Sequence, residues 1–274
     1  MNIIKFIESF TNDSFLNAKG SRRESFSQFG KLGSNAAMAA VPFGLASMLF
    51  TQKANAASSA FLSATADTPT SALQLALILE YLEDEFYATA LDTNGLIPSA
   101  DRAVFEQISQ HEAAHVEFLM GALDTDAPAK PTFDFTANGT FDPFNNYDQF
   151  LALSQAFEDT GVRAYKGQAA NLITEPGLLT AALQIHSVEA RHASQVRRLR
   201  GLKGWIPGND EGGHPAAADA VYAGEANTNQ LGFNTANVQE TNGPAIPAIA
   251  GSESYDEPLT GQQATNIANL FIVQ

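Results

Sequence analysis

Two short stretches hold the residue types best suited to chemistry. The first, "HEAAH", spans His111 to His115 and sets two imidazoles four residues apart with Glu112 directly after the first. In zinc-protease helices such histidines ligate the metal and the glutamate activates a water. The inner residues, Glu112 to His115, also read E-x-x-H, the carboxylate–imidazole pair of helix bundles that hold two iron or two manganese ions. The second stretch, "VEARHA", repeats that pair as Glu189 and His192. Residues three apart share one helix face, so each pair can aim at one point.

The protease reading does not extend. Its longer motif calls for Gly where Phe118 stands and for a third His where Gly121 stands. It also leaves the second E-x-x-H without a purpose. The two-metal recipe needs one further Glu from each of two other helices. Glu158 meets that need in one segment, with Leu151, Val162 and Tyr165 around it on the apolar side. In another segment, "LEYLEDEFY" offers Glu80 and Glu83. Removing these carboxylates from water without a cation would cost several kcal/mol per ion, comparable to a whole domain's net stability. His111, one turn before His115, is expected to support the site or to face solvent.

Four long amphipathic segments must place these residues. Segment A, about 70–91, puts Ala72, Leu75, Ala76, Leu79, Leu82, Phe86 and Ala90 on one stripe. Segment B, 99–123, has Ser99 as its expected N-cap and Phe105, Ile108, Val116 and Leu119 facing inward. Segment C, about 147–172, uses Phe150, Leu151, Phe157, Val162 and Tyr165. Segment D, 176–200, opens on Pro176 and closes on "RRLR" before Gly201, which suits a helix C-terminus. The A–B and C–D connections are short, "DTNGLIP" and "ITEP", whereas B to C needs the long "DTDAPAKPTFDFTANGTFDPFNN". Two antiparallel hairpins joined by one long crossover are therefore expected, an all-α four-helix bundle. From Trp205 onward Gly, Pro, Asn and Thr dominate without period. An irregular C-terminal extension is expected over 205–274, with a short helix near Ala216 to Tyr222. A final helix, Gly261 to Ile272, should dock through Ile267, Leu270 and Phe271.

Residues 68–201 resemble the ferritin-like superfamily. More narrowly, "LEYLEDEFY", "HEAAHVEFL", "FEDTGVRAYKG" and "VEARHA" resemble its branch of desiccation-related and fungal stress-induced proteins. The resemblance implies a ferritin-like bundle over 57–204 holding two iron or two manganese ions. Glu112, His115, Glu158, Glu189 and His192 match the family's ligand pattern. A family tyrosine seven residues after the first ligand selects Glu80 with Tyr87, while the apolar stripe centres nearer Glu83. Both are carried forward, Glu83 as ligand or as support for one. Tyr87 and Tyr165 are the residues expected to bond a species bridging the ions.

Composition bounds the rest. Of 274 residues none is cysteine, which excludes disulfides, thiolate metal sites and thiol nucleophiles. A formal net charge of −15 argues against a nucleic-acid partner. The first 56 residues differ from the others. They hold six Lys/Arg against three Asp/Glu, with "SRR" at Ser21 to Arg23, an apolar run from Ala36 to Phe50 and "ANA" at Ala54 to Ala56. That order describes an export signal, twin-arginine-like, with cleavage after Ala56 and a periplasmic or extracellular destination. The expected activity is that of a di-metal oxidoreductase, a ferroxidase or a peroxidase, acting on O2, peroxide or Fe(II) in stress protection. A manganese-catalase-like peroxide dismutase is its nearest rival. A non-enzymatic protective or envelope protein is the alternative from another class, and a hydroxylase-type oxygenase is a third. By analogy with such bundles, a homo-oligomer is expected.

Overall fold

A computed structural model describes residues 68–209, 216–238 and 246–273. The export leader expected over 1–56 lies outside the described residues.

Four long helices build the body. Helix α1 (Pro69–Asp92) starts at Thr68, whose side chain accepts from Ser71 N while Ser71 reciprocates, and Pro69 fills the first turn. This closes a capping box and satisfies amides that have no partner within the helix. Helix α2 (Arg102–Leu123) starts later than expected. Ser99 lies in a turn and caps nothing. Asp101 takes the N-cap position but makes no cap bond, and its carboxylate accepts from Tyr147 Oη at 2.7 Å. Helix α3 (Tyr147–Gln168) is capped by Asn146 and tightens into a 3-10 turn at Ala169–Leu172. Helix α4 (Pro176–Leu199) ends as its sequence suggests: Gly201 takes φ 74 and Leu202 N bonds Arg197 O at 2.9 Å.

The topology follows from the loops. Helices α1 and α2 pack along their length, as do α3 and α4, and α1 meets α3 between the hairpins. The crossover is polar in composition yet anchors itself with aromatics. Phe133, Phe135 and Phe141 are buried, and the Phe135 ring packs 5.3 Å from Phe86 and 5.6 Å from Phe144. Phe86 also stacks on Phe150 at 5.2 Å, so one aromatic cluster ties both hairpins and the crossover together.

The extension is more regular than its composition suggests. Helix α5 (Asp219–Tyr222) falls in the expected place, preceded by a 3-10 turn at Ala216–Ala218. The sequence reading missed two pieces. Strands β1 (Asn229–Gln230) and β2 (Phe233–Asn234) form a small hairpin, and helix α6 (Ile249–Ser252) follows. Helix α7 (Gly261–Ala268) is shorter than the expected final helix. It buries Ala264, Thr265, Ile267 and Ala268, and Phe271 beyond its end is buried as well. Leu270, expected to dock, is 43% exposed, because the helix has ended and the chain has turned. Helices α5 and α7 share a second apolar cluster with Leu75, Leu79, Ala156 and Ala164 of α1 and α3. Gly167 permits the approach. A Cβ there would stand 1.8 Å from Leu259 O, while Leu259 N bonds Arg163 O at 3.0 Å.

Candidate metal centre

Each long helix delivers one part of the centre. Helices α1 and α3 bring Glu80 and Glu158, α2 and α4 bring the two E-x-x-H pairs, and none of these carboxyls is more than 1% exposed. His115 Nδ1 stands 3.1 Å from Glu80 Oε2, 3.0 Å from Glu112 Oε2 and 3.1 Å from Glu189 Oε1. His192 Nδ1 stands 2.8 Å from Glu112 Oε1, 3.2 Å from Glu158 Oε2 and 3.6 Å from Glu189 Oε2. Glu112 and Glu189 therefore each send one oxygen to either imidazole. Glu80 and Glu158 each serve one.

A second layer repeats this two-fold pattern. Tyr87 Oη donates to Glu158 Oε1 at 2.5 Å, and Tyr165 Oη donates to Glu80 Oε1. Each tyrosine sits two turns beyond the glutamate of its own helix and bonds the glutamate of the other. The tyrosines expected to touch a bridging species thus bond Glu158 and Glu80, the two carboxyls that each face a single imidazole.

Hydrogen bonding alone does not satisfy the centre. A neutral imidazole Nδ1 carries at most one proton and cannot donate to three oxygens. Glu112 Oε1 and both Glu189 oxygens are buried without a hydrogen-bond partner. The His192 and His115 nitrogens lie 2.8–3.6 Å from them without forming a hydrogen bond. Buried oxygens of this kind call for a counter-charge. Two sets of four groups, Glu80, Glu112, His115, Glu189 and Glu112, Glu158, Glu189, His192, each bring their ligand atoms within 4.8 Å of one another.

Residues 68–202 match the family model of the ferritin-like domain. The chain belongs to the ferritin-like superfamily. None of the curated proteins matches it. The ferritin-like domain covers all four helices, and its buried Glu/His groups are compatible with metal binding. Oxygen-rich donor sets with one imidazole each suit hard or borderline divalent ions rather than thiophilic ones.

Charge in this centre is far from balanced. Burial, then repulsion from Glu189, raises Glu80 to about 8 against the pull of His115. Glu158 is raised by burial against the pull of His192. Burial alone would lower His115, but the carboxylates of Glu112, Glu189 and Glu80 facing its Nδ1 push it up to about 12, and His192 moves the same way. Glu189, although burial opposes its ionisation, is drawn down to about 2 by the two imidazoles.

Two residues stand beside the eight-atom pattern. Glu83 is buried but belongs to neither four-group set. Burial, then repulsion from Glu189 and Glu158, holds it well above the usual carboxylate range. His111 is half-buried and crosses the bundle: its Nδ1 lies 2.8 Å from His192 Nε2, and the rings stack at 5.1 Å. Its Nε2 meets exposed Gln107 at 2.8 Å. Of the two expectations for His111, support of the site fits this placement. Sequence reasoning had no signal for its partner, since a contact across 81 positions depends on helix packing.

Sequence reasoning also missed a second buried charge cluster. "RRLR" suits a helix C-terminus and gives no sign of burial, yet Arg197 is fully buried, with Nη2 2.5 Å from Asp159 Oδ2. Tyr222 Oη donates to the same oxygen at 3.0 Å. Nearby, Arg163 pairs with Glu225 at 2.7 Å and donates to the carbonyls of Val221, Ala223 and Glu257. These pairs fasten the extension to α3 and α4.

Proposed function

We propose that the ferritin-like domain holds two iron or two manganese ions and works as a redox protein on O2, peroxide or Fe(II). The supporting observation is that Glu112 and Glu189 each turn one oxygen to His115 Nδ1 and the other to His192 Nδ1. Carboxylates so placed suit two cations side by side, not one. Two such ions supply two-electron redox chemistry.

The protein's own part is positional. Glu112 and Glu189 would bridge the ions, Glu80 and Glu158 would each close one side, and His115 and His192 would bind through Nδ1. Tyr87 and Tyr165 hold the terminal carboxylates in one orientation, which lowers the rearrangement needed when charge changes at the ions. With the carboxyls at most 2% exposed, what reaches them must be small. That favours O2, peroxide or Fe(II) over a bulky organic substrate.

Elemental analysis of protein purified from its producing cells, followed by turnover assays with peroxide and with Fe(II), tests the reading. Two ions per chain and turnover with either substrate support it. A protein that carries its ions but converts neither substrate would instead be a structural metalloprotein.

We also propose export through the leader. N-terminal sequencing of native protein should return a start near Ala57; Met1 or Asn2 would contradict it.

A further inference from the structure

The centre repeats itself from one hairpin to the other, and its departures from that repeat are informative. Superposing the sequence of α1 on α3 pairs Glu80 with Glu158 and Tyr87 with Tyr165; superposing α2 on α4 pairs Glu112 with Glu189 and His115 with His192. Under this pairing Glu83 corresponds to Gly161 and His111 corresponds to Val188. Both departures fall on the same side.

His111 acts on His192. With an ion on His192 Nδ1, the ring proton sits on Nε2 and is donated to His111 Nδ1, 2.8 Å away, with the Gln107 amide turned so that its oxygen accepts from His111 Nε2. A bond of this kind fixes the tautomer and strengthens the imidazole as a ligand. On the other half, among the described residues, His115 Nε2 has no such partner.

Glu83 leans the same way. A Cβ on Gly161 would stand 3.5 Å from Glu83 Oε1, 3.4 Å from Glu189 Cγ and 3.6 Å from Glu189 Oε2. The missing side chain on α3 therefore leaves room for a carboxylate reaching across from α1. A glycine inside a helix is disfavoured relative to alanine, so the space has a conformational cost. Glu189 Oε2 is the oxygen that faces His192, which places Glu83 near that half.

We infer that the two ion positions are unequal: the His192 position is the tighter and fills first, because His111 and Glu83 both strengthen it and neither has a counterpart beside His115. This inference rests on the two-ion reading above. An additional carboxyl, ionised once a cation lies beside it, and a more strongly donating imidazole change affinity in the same direction, so their effects reinforce each other.

The test is anaerobic titration of the metal-free full chain with Mn2+ and, separately, Fe2+, followed by calorimetry, with EPR of the Mn2+ samples. Two resolved steps are expected, the first giving the spectrum of an isolated Mn2+ ion and the second that of a coupled pair. His111→Ala should weaken the first step by about 10- to 100-fold and leave the second nearly unchanged. Glu83→Gln, which keeps the side chain's shape, should weaken the same step. His115→Ala should retain the tight step, and His192→Ala should lose it. Two equal steps in the unaltered chain, or loss of the tight step in His115→Ala, would overturn the inequality and leave the two-ion reading standing. A chain that binds neither ion would overturn both.

Discussion

Helix α3 places two neighbouring acids in opposite settings. Glu158 points into the candidate metal centre, and Asp159, one residue on, points into the cluster beneath the C-terminal extension. Both are buried, at 0% and 3% exposure. Around Asp159 charge is matched: Arg197 pairs with it, Tyr222 donates to it, and Arg163 pairs with Glu225 beside it. Around Glu158 it is not, since five buried carboxyls face two imidazoles, and three of their oxygens have no hydrogen-bond partner against one, Glu225 Oε2, in the other cluster. Matched buried charge is a means of fastening one element to another. Unmatched buried charge of one sign is a binding site for the other sign.

The largest effect should come from unmatching the fastening cluster. Arg197→Ala strands Asp159 and should cost about 3–5 kcal/mol, the usual loss when one partner of a buried pair is removed. Chemical denaturation with and without Mn2+ should show the same loss, because the cluster does not depend on the ions. A loss that vanished on adding metal would erase the distinction between the two regions.

The centre should behave in the opposite way. Chelating the ions should lower stability by up to about 4 kcal/mol where free ion exceeds its Kd a thousand-fold. The same chelator should leave an ion-depleted His192→Ala variant less affected. Thermal melts of both proteins over a range of free metal concentrations check this.

The pH dependence of the metal-free protein sharpens the contrast. Glu80 is raised from 4.5 to about 8, and Glu83 and Glu158 move in the same direction. A raised folded-state pKa gives stability that is full below about 4.5 and is lost as pH rises through about 8. His115, raised to about 12, adds loss in the same sense above its ordinary value of 6.5. Glu189 opposes them only at the acid end, where its contribution is lost as pH falls through about 2. The melting temperature of the metal-free protein should therefore drop by several degrees, in order of magnitude, between pH 5 and pH 8. Bound ions should flatten that slope.

The smallest effect belongs to the tyrosines. Tyr87→Phe and Tyr165→Phe each remove one charge-assisted hydrogen bond to a carboxylate, a loss of about 1–2 kcal/mol. Their similarity is the point. If one substitution were neutral and the other severe, the two-fold pattern of the centre would not extend to its second layer.

Much of this was legible before folding. Helix period, the Pro176 and Gly201 signals and the loop lengths carry local information, and local information suffices for four helices in two hairpins. The recurring E-x-x-H is local too, so its residues could be paired by spacing alone. The start of α2 was misread because Asp101, two residues after Ser99, bonds Tyr147 from another helix, a partner no local pattern contains. The choice between Glu80 and Glu83 stayed open for a related reason. Both lie on the buried side of α1, and only the position of α3, with its bare Gly161, separates the one beside His115 from the one beside Glu189.

By itself, then, the sequence determined which residues can ligate, how far apart they stand along each helix and how the helices connect. These depend on backbone geometry repeated every few residues. Only the tertiary structure decided which oxygen faces which nitrogen, that His111 meets His192, and that Arg197 is buried against Asp159. Each of those facts is a meeting of side chains from different helices, fixed by the depth and rotation at which the helices pack, and one residue's rotation about a helix is enough to turn a ligand into a surface charge.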